Sequence, residues 1–291
     1  MGGRVIGSAP MNGTELSGML EVLQTTSRRS IVRAVGPEAP VTQDRMAAEA
    51  ASVTVLPRDV PSLPREWFVD EVLPGAGRWV MLGYRNEPVR PPSDPWDEAD
   101  LAAAVELAIQ IGTCEAPQGL PRALDLIDAG AWSRIAAMPP AALTAFTPWL
   151  SDKVELLVEI AGEADVALSG TSLVHGALRR ESILITDHGW EATSAHAVDW
   201  FMPSCGASFL DVVLLLPYLR VDGAPPPEAV LDRHPLADAD PEKLTCAVTV
   251  AAGALVLESM GPPQPGMPHG RAGQREAAHA AIDWLRERLG G

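Results

Sequence analysis

Four prolines, Pro88, Pro91, Pro92 and Pro95, fall between Asn86 and Pro95. Neither a helix nor a central strand can run through such a stretch, because each proline lacks an amide hydrogen and holds the residue before it extended. It reads as a stiff connection. The chain is therefore expected to divide here into two lobes, 1–86 and 87–291, and the residue patterns on the two sides differ.

Before the connection, short β-like runs surround one helical stretch. Glu21 to Leu23 and Ser30 to Val35 read as strands on either side of Gln24-Thr25-Thr26-Ser27-Arg28-Arg29, and Thr42 to Ala51 as a helix with Thr42 as N-cap. Val53 to Leu56, Glu66 to Val72 and Arg78 to Tyr84 are further extended segments, divided by Pro57, Pro61, Pro64 and Pro74-Gly75. After the connection, helices dominate. Glu98 to Ile111 follows Asp94 or Asp97 as cap, Asp152 to Leu168 ends at Ser169-Gly170, and Gly273 to Leu289 closes the chain. Between the second and third helices lies a β-rich island over 173–200. Leu173 to His175, Ser182 to Thr186 and Ala195 to Trp200 are its strand-like runs, with Asp187-His188-Gly189 as a turn. The fold class is α+β: a small sheet-rich lobe and a larger, mostly helical one.

Composition narrows the function classes. With 291 residues, 47% apolar, 21% charged and a mean hydropathy of +0.08, the chain is core-forming rather than fibrous or disordered. Its longest apolar run, Leu244 to Leu257, is 14 residues and falls short of a membrane span. The N-terminus offers no continuous apolar segment of the secretory kind, so the expected location is cytoplasmic. Cys114, Cys205 and Cys246 are odd in number and far apart, which fits buried thiols rather than disulfides or a metal clip, and the histidines lack zinc-ligand spacing. The net charge of −16 lies entirely in 87–291, since residues 1–86 are neutral. A field of that sign repels nucleic acid and anionic membranes and favours cationic small molecules.

The island runs Leu173-Val174-His175-Gly176-Ala177-Leu178-Arg179-Arg180-Glu181-Ser182-Ile183-Leu184-Ile185-Thr186, then Val198-Asp199-Trp200. This resembles the aminoglycoside phosphotransferase and choline kinase branch of the protein-kinase-like fold, where a loop of the form H-G-D-L-x-x-x-N-I-L precedes a hydrophobic-Asp-aromatic segment. Ser208-Phe209-Leu210-Asp211-Val212 is similar to the helix start whose Asp ties down that loop. Trp79 to Tyr84 matches the hinge strand, and the ending, with Gln274 and Trp284-Leu285-Arg286, is similar to bacterial members. The match covers most of 20–289.

The resemblance implies Mg²⁺ and ATP as cofactors, with Asp199 and Ser182 at metal positions and Arg33, Glu49, Met81, Leu82 and Tyr84 at cofactor-binding ones. It places His175, Ala177 and Asp199 at the catalytic positions. In such chemistry metal ions neutralise the phosphate oxygens while a carboxylate orients the attacking hydroxyl. Asp199 and Glu49 keep the expected acids. The other positions depart. Ala177 stands where the catalytic Asp belongs, Ser182 where the metal-coordinating Asn belongs and Arg33 where the phosphate-holding Lys belongs, a swap that changes reach and geometry. The turn Gln24 to Arg29, read as the phosphate cover, has no glycine.

Plainer roles compete for each residue. His175 reads as a structural side chain under the metal-binding segment, Arg33 and Glu49 as a buried ion pair, and Asp211 as a scaffold acceptor. Glu181 and Asp187 are poor substitutes for the missing base. Trp96 and Trp190 are candidates to line a cleft. Three functions follow from the resemblance and its departures. The first is a pseudokinase binding a small molecule or protein partner between the lobes. The second is an atypical phosphotransferase for a hydroxylated, cationic substrate, and the third is a cleft reused for non-phosphoryl biosynthetic chemistry.

Overall fold

A computed structural model describes residues 3–11, 19–186, 193–236, 239–262 and 270–290. Five antiparallel strands and one helix form the first lobe: β1 (Val5–Pro10), β2 (Met19–Thr25), β3 (Arg29–Val35), α1 (Pro40–Ser52), β4 (Arg65–Leu73) and β5 (Gly77–Arg85). The sheet order is β1-β2-β3-β5-β4. β3 is central, and all of its residues except Arg29 are buried, as a strand covered on both faces must be. Ile31, Val35, Met46, Leu63, Val80 and Leu82 form a core that also takes in Leu184 and Val198 from the second lobe.

Three readings of this lobe change. α1 starts at Pro40, where a proline costs no hydrogen bond at the first helical position, and Thr42 is a buried interior residue rather than the cap. Val53 to Leu56 is not extended. Val53, Thr54 and Val55 donate their amides to Glu49, Ala51 and Ser52 as the helix unwinds into a turn that Pro57 ends. β1 is an additional strand, exposed along its whole length, so its residues carry no inward-facing pattern to read.

The proline connection is docked rather than loose. Val89–Arg90 forms a short strand, β6, against β8 (Ile183–Thr186). Arg90 holds the fully buried carboxylate of Asp100 through two bonds of 2.7 and 2.8 Å. Asp100 lies in the first turn of α2 (Glu98–Thr113), whose cap is Asp97, bonded to the Asp100 amide at 2.8 Å.

The second lobe packs short helices α3 (Ala123–Leu126), α4 (Ala131–Ala136) and α5 (Pro140–Phe146) against longer ones. The helix expected over Asp152 to Leu168 is two, α6 (Pro148–Ala161) and α7 (Ala164–Leu168), broken at Gly162. The island contributes β7 (Ser172–Val174), β8, β9 (Ser194–Ala197) and β10 (Ser204–Gly206), with β7 paired to β10 and β8 to β9. Asp187 to Gly189 and Trp190 lie outside the described residues. The region between the island and the C-terminus, left without helices in the sequence reading apart from the start at Asp211, holds α8 (Leu210–Val221), α9 (Pro227–Arg233) and α10 (Pro241–Ser259) before α11 (Gly270–Arg288). α10 contains the apolar run Leu244 to Leu257. It is buried nearly all round, so no amphipathic period marks it. Among the described residues no helix is long and apolar enough to cross a membrane. Cys114 and Cys246 are buried and Cys205 is half-exposed; none is bonded to another.

One close approach sets the spacing of α2 and the start of α8: a Cβ on Gly112 would collide with the backbone carbonyl of Ser208. Gly112→Ala should destabilise the fold by about 1–3 kcal/mol through overpacking. Gly273→Ala, where a Cβ meets nothing within 4 Å, should be neutral or stabilising by up to about 1 kcal/mol. Urea unfolding of both variants checks the contrast.

Candidate functional site

The sheet places the Arg33 side chain in the interior, 4% exposed, on the strand that pairs with both β2 and β5. A buried guanidinium must be met by acids and acceptors. Its Nη1 donates to Oδ1 of Asp199 at 2.9 Å and lies 3.9 Å from Oε2 of Glu49. Glu49, fully buried on α1, accepts at Oε1 from the Tyr84 hydroxyl and from the Asp199 amide, both at 2.8 Å. Two sheet strands, α1 and the segment after β9 are thus joined at one point. Asp199 has φ 70, a left-handed conformation that costs a non-glycine residue about 1–3 kcal/mol unless its surroundings impose it. Here they do, since Glu49 holds its amide and Arg33 its carboxylate.

The electrostatics follow from burial. Burial works against the Arg33 charge, but Asp199, Tyr84 and Glu49 outweigh it and raise its pKa, so it stays protonated. Burial, then the neighbouring Asp199 charge, pushes Glu49 up to about 7, against the opposing pull of Arg33, Tyr84 and the Asp199 amide. Arg33 Nε and Glu49 Oε2 have no hydrogen-bond partner among the described residues.

The loop after β7 is braced from below. His175 and Gly176 donate their amides to the two carboxylate oxygens of Asp211 at 2.7 and 2.8 Å, the scaffold role expected of that acid. Burial raises Asp211 to about 6, with those two amides pulling the other way. His175 is fully buried. Its Nε2 sits 3.0 Å from the Val198 carbonyl, which can only accept, and its Nδ1 accepts from the Ala177 amide at 3.3 Å. These two contacts define a neutral imidazole. Burial lowers its pKa to about 4, against the Val198 carbonyl and Asp199, and the ring packs on Trp200 with centroids 4.3 Å apart. His175 is a brace, out of reach of an external proton.

Ser182 faces back into its own loop. Its Oγ accepts from the Arg179 amide at 2.8 Å and lies within hydrogen-bonding distance of the Ala177 and Arg179 carbonyls, at 3.3 and 3.0 Å. Ala177 offers a methyl group, half-buried. Leu82 and Tyr84 point into the first lobe's core, and the Tyr84 hydroxyl is engaged by Glu49. Met81 is half-buried, paired with Ala34 and Val69. Trp96 is covered by the Arg180 guanidinium at 4.9 Å and bonded to Asp222 at 3.2 Å.

The turn Gln24 to Arg29 must be reassigned. It joins β2 to β3, with Gln24 opposite Arg29, whereas Leu20 is the residue opposite Arg33. At about 3.3 Å per residue the turn is about 13 Å from Arg33 along the strand. It cannot cover a phosphate held at Arg33. The missing glycines of Gln24 to Arg29 therefore carry no argument about Arg33; residues 12–18, between β1 and β2 in the chain, include Gly13 and Gly18 and lie outside the described residues.

Two arginines were not singled out from the sequence. Arg45, one helical turn before Glu49 on α1, lays its guanidinium 4.8 Å from the Phe201 ring centroid. Arg179, two residues after Ala177, lies 4.0 Å over the Tyr218 ring. Their positions held the signal: Arg45 shares a helix face with Glu49 at the i, i+4 spacing, and Arg179 belongs to the loop itself.

No family model and no curated protein sequence matches the chain. Solved structures do. A GDP complex of wild-type aminoglycoside 2'-phosphotransferase-IIIa aligns with a TM-score of 0.59 at 14% identity, over 99% of this chain and 93% of that one. The Plasmodium vivax ethanolamine kinase aligns at 0.57 and 12% identity, over 97% and 83%. A microcompartment-associated aminopropanol kinase aligns at 0.53 and 14%, over 97% and 91%. The chain has the aminoglycoside phosphotransferase and choline kinase-like fold.

That fold implies a divalent cation at Asp199 and Ser182, and the residues present do not fit one. The Asp199 carboxylate faces a buried guanidinium, the Ser182 hydroxyl is turned into its loop, and no group of three or more His, Cys, Asp or Glu side chains among the described residues is arranged to hold a metal ion.

The neutral His175 gives a pH signature. Its folded pKa of about 4 lies below the ordinary 6.5, so unfolding takes up a proton between these values. Its contribution is present above 6.5 and is lost as the pH falls toward 4, up to about 3 kcal/mol in all. His175→Gln should be less stable than the parent at pH 7, with the gap narrowing by about 2 kcal/mol at pH 4.5. Chemical denaturation at the two pH values measures it; a constant gap would mean that His175 is not held neutral.

Proposed function

We propose that this protein is a ligand-binding relative of the small-molecule kinases whose interlobe cleft does not transfer phosphoryl groups: a pseudokinase that holds a small molecule or a docking partner. One observation carries the reading, the 2.9 Å contact between Arg33 and Asp199 in a buried setting. Phosphoryl transfer rests on positioning and on metal charge at the transferred group. With a permanent cation against it, Asp199 is not free to recruit that charge. Ala177 adds to the case, since loss of a general base alone typically removes roughly 10²–10⁴-fold of rate.

Solved structures with this fold are complexes with ADP and spectinomycin, with GDP and kanamycin, and with GDP alone. These support the cleft as the place where this chain takes its ligand. They do not carry a reaction over to it, because the groups that would perform one have changed.

The test is phosphoryl transfer from radiolabelled ATP to a panel of hydroxylated amines, with Mg²⁺ present. The parent should show no turnover above background. The double variant Ala177→Asp, Ser182→Asn should also show none, because Arg33 still holds Asp199. Metal-dependent transfer by the parent that Asp199→Ala abolishes would overturn the reading in favour of a working, atypical phosphotransferase.

A further inference from the structure

Resting on the non-transferring reading, we infer that the cleft beside Asp199 binds a phosphate group directly, without a divalent metal, through Arg45 and Arg179. Arg45 is half-buried, yet among the described residues its guanidinium makes no ion pair and no hydrogen bond, only the contact with the Phe201 ring. Withdrawing a guanidinium from water without an anion is costly. Burial lowers its pKa, as do the charges of Arg179 and Arg33, with Asp199 and Glu258 acting the other way. Arg179 and Arg33 are therefore close enough to Arg45 for their charges to act on it.

Two of the acids whose charges reach them have other partners. Asp199 is held by Arg33 at 2.9 Å. Glu258 is exposed and accepts from Gln274 at 2.9 Å. Ala177 removes the carboxylate that would otherwise face an incoming anion from the loop. A second feature lies beside Arg179. The Tyr218 hydroxyl, on the ring that Arg179 covers, is buried next to that guanidinium and in the field of Glu258 and Glu181. Two guanidinium forks supply more donors than a carboxylate has oxygens and suit the three terminal oxygens of a phosphate. Ala177, which removes the base, thus also removes one negative charge that a metal would have offset.

Isothermal titration of the full chain in EDTA with pyrophosphate, ADP and glucose 6-phosphate tests this. At least one should bind, and added Mg²⁺ should leave its affinity unchanged or weaken it. Arg45→Ala and Arg179→Ala should each weaken binding tenfold or more, with circular dichroism and thermal melting confirming that both variants fold; Arg45→Gln is the milder check. ADP binding tenfold tighter than pyrophosphate identifies a nucleotide as the source of the phosphate, and comparable or tighter binding of the other two identifies a phosphorylated small molecule. Binding that requires Mg²⁺, binding insensitive to either arginine, or no binding of any probe overturns the inference. The last result, with no ATP turnover, leaves the non-transferring reading intact, whereas Mg²⁺-dependent turnover removes that reading itself.

Discussion

A single guanidinium joins the two lobes from within. Arg33 on β3 meets Asp199 from the island, and Glu49 on α1 accepts both the Asp199 amide and the Tyr84 hydroxyl. In a buried setting these groups are interdependent, because removing one leaves another charged and unpaired, at a cost of about 3–5 kcal/mol. The backbone connections between the lobes reinforce the same point. Ala197 exchanges hydrogen bonds with Pro61 and Leu63. The positive φ of Asp199 is sustained by this convergence.

Everything around the pair is consistent with a carboxylate committed to an arginine rather than to a metal. Ser182 closes its loop, His175 is neutral and enclosed, and Asp211 anchors the loop backbone. Two further cations lie near the pair, Arg45 on α1 of the first lobe and Arg179 in the loop of the second, and the second lobe carries the whole net negative charge of the chain. Such a contrast of sign between site and surroundings draws an anion to one place while the rest of the lobe repels it.

Much of this was legible from residue order. The loop around His175, the segment around Asp199, the anchor Asp211 and the departures Ala177, Ser182 and Arg33 were all visible as types at fixed spacing, and of the two candidate caps for α2, Asp94 and Asp97, the structure uses Asp97. What the sequence hid has physical causes. α10 is apolar on nearly every side, so it shows no helical period. β1 is exposed throughout and shows no strand period. Which turn lies beside Arg33 depends on register, and only the pairing of Leu20 with Arg33 reveals that Gln24 to Arg29 is at the far end of the hairpin. Arg45 looked like any surface arginine on a helix until the packing of Phe201 gave it a location.

The central claim is that Arg33 holds the Asp199 carboxylate against any divalent cation. A crystal structure of the protein grown with Mn²⁺ and ADP, with anomalous data collected at the manganese edge, addresses it directly. The account predicts an intact Arg33–Asp199 contact and no manganese peak at coordinating distance from Asp199. A manganese ion ligated by Asp199, with Arg33 displaced, would contradict it.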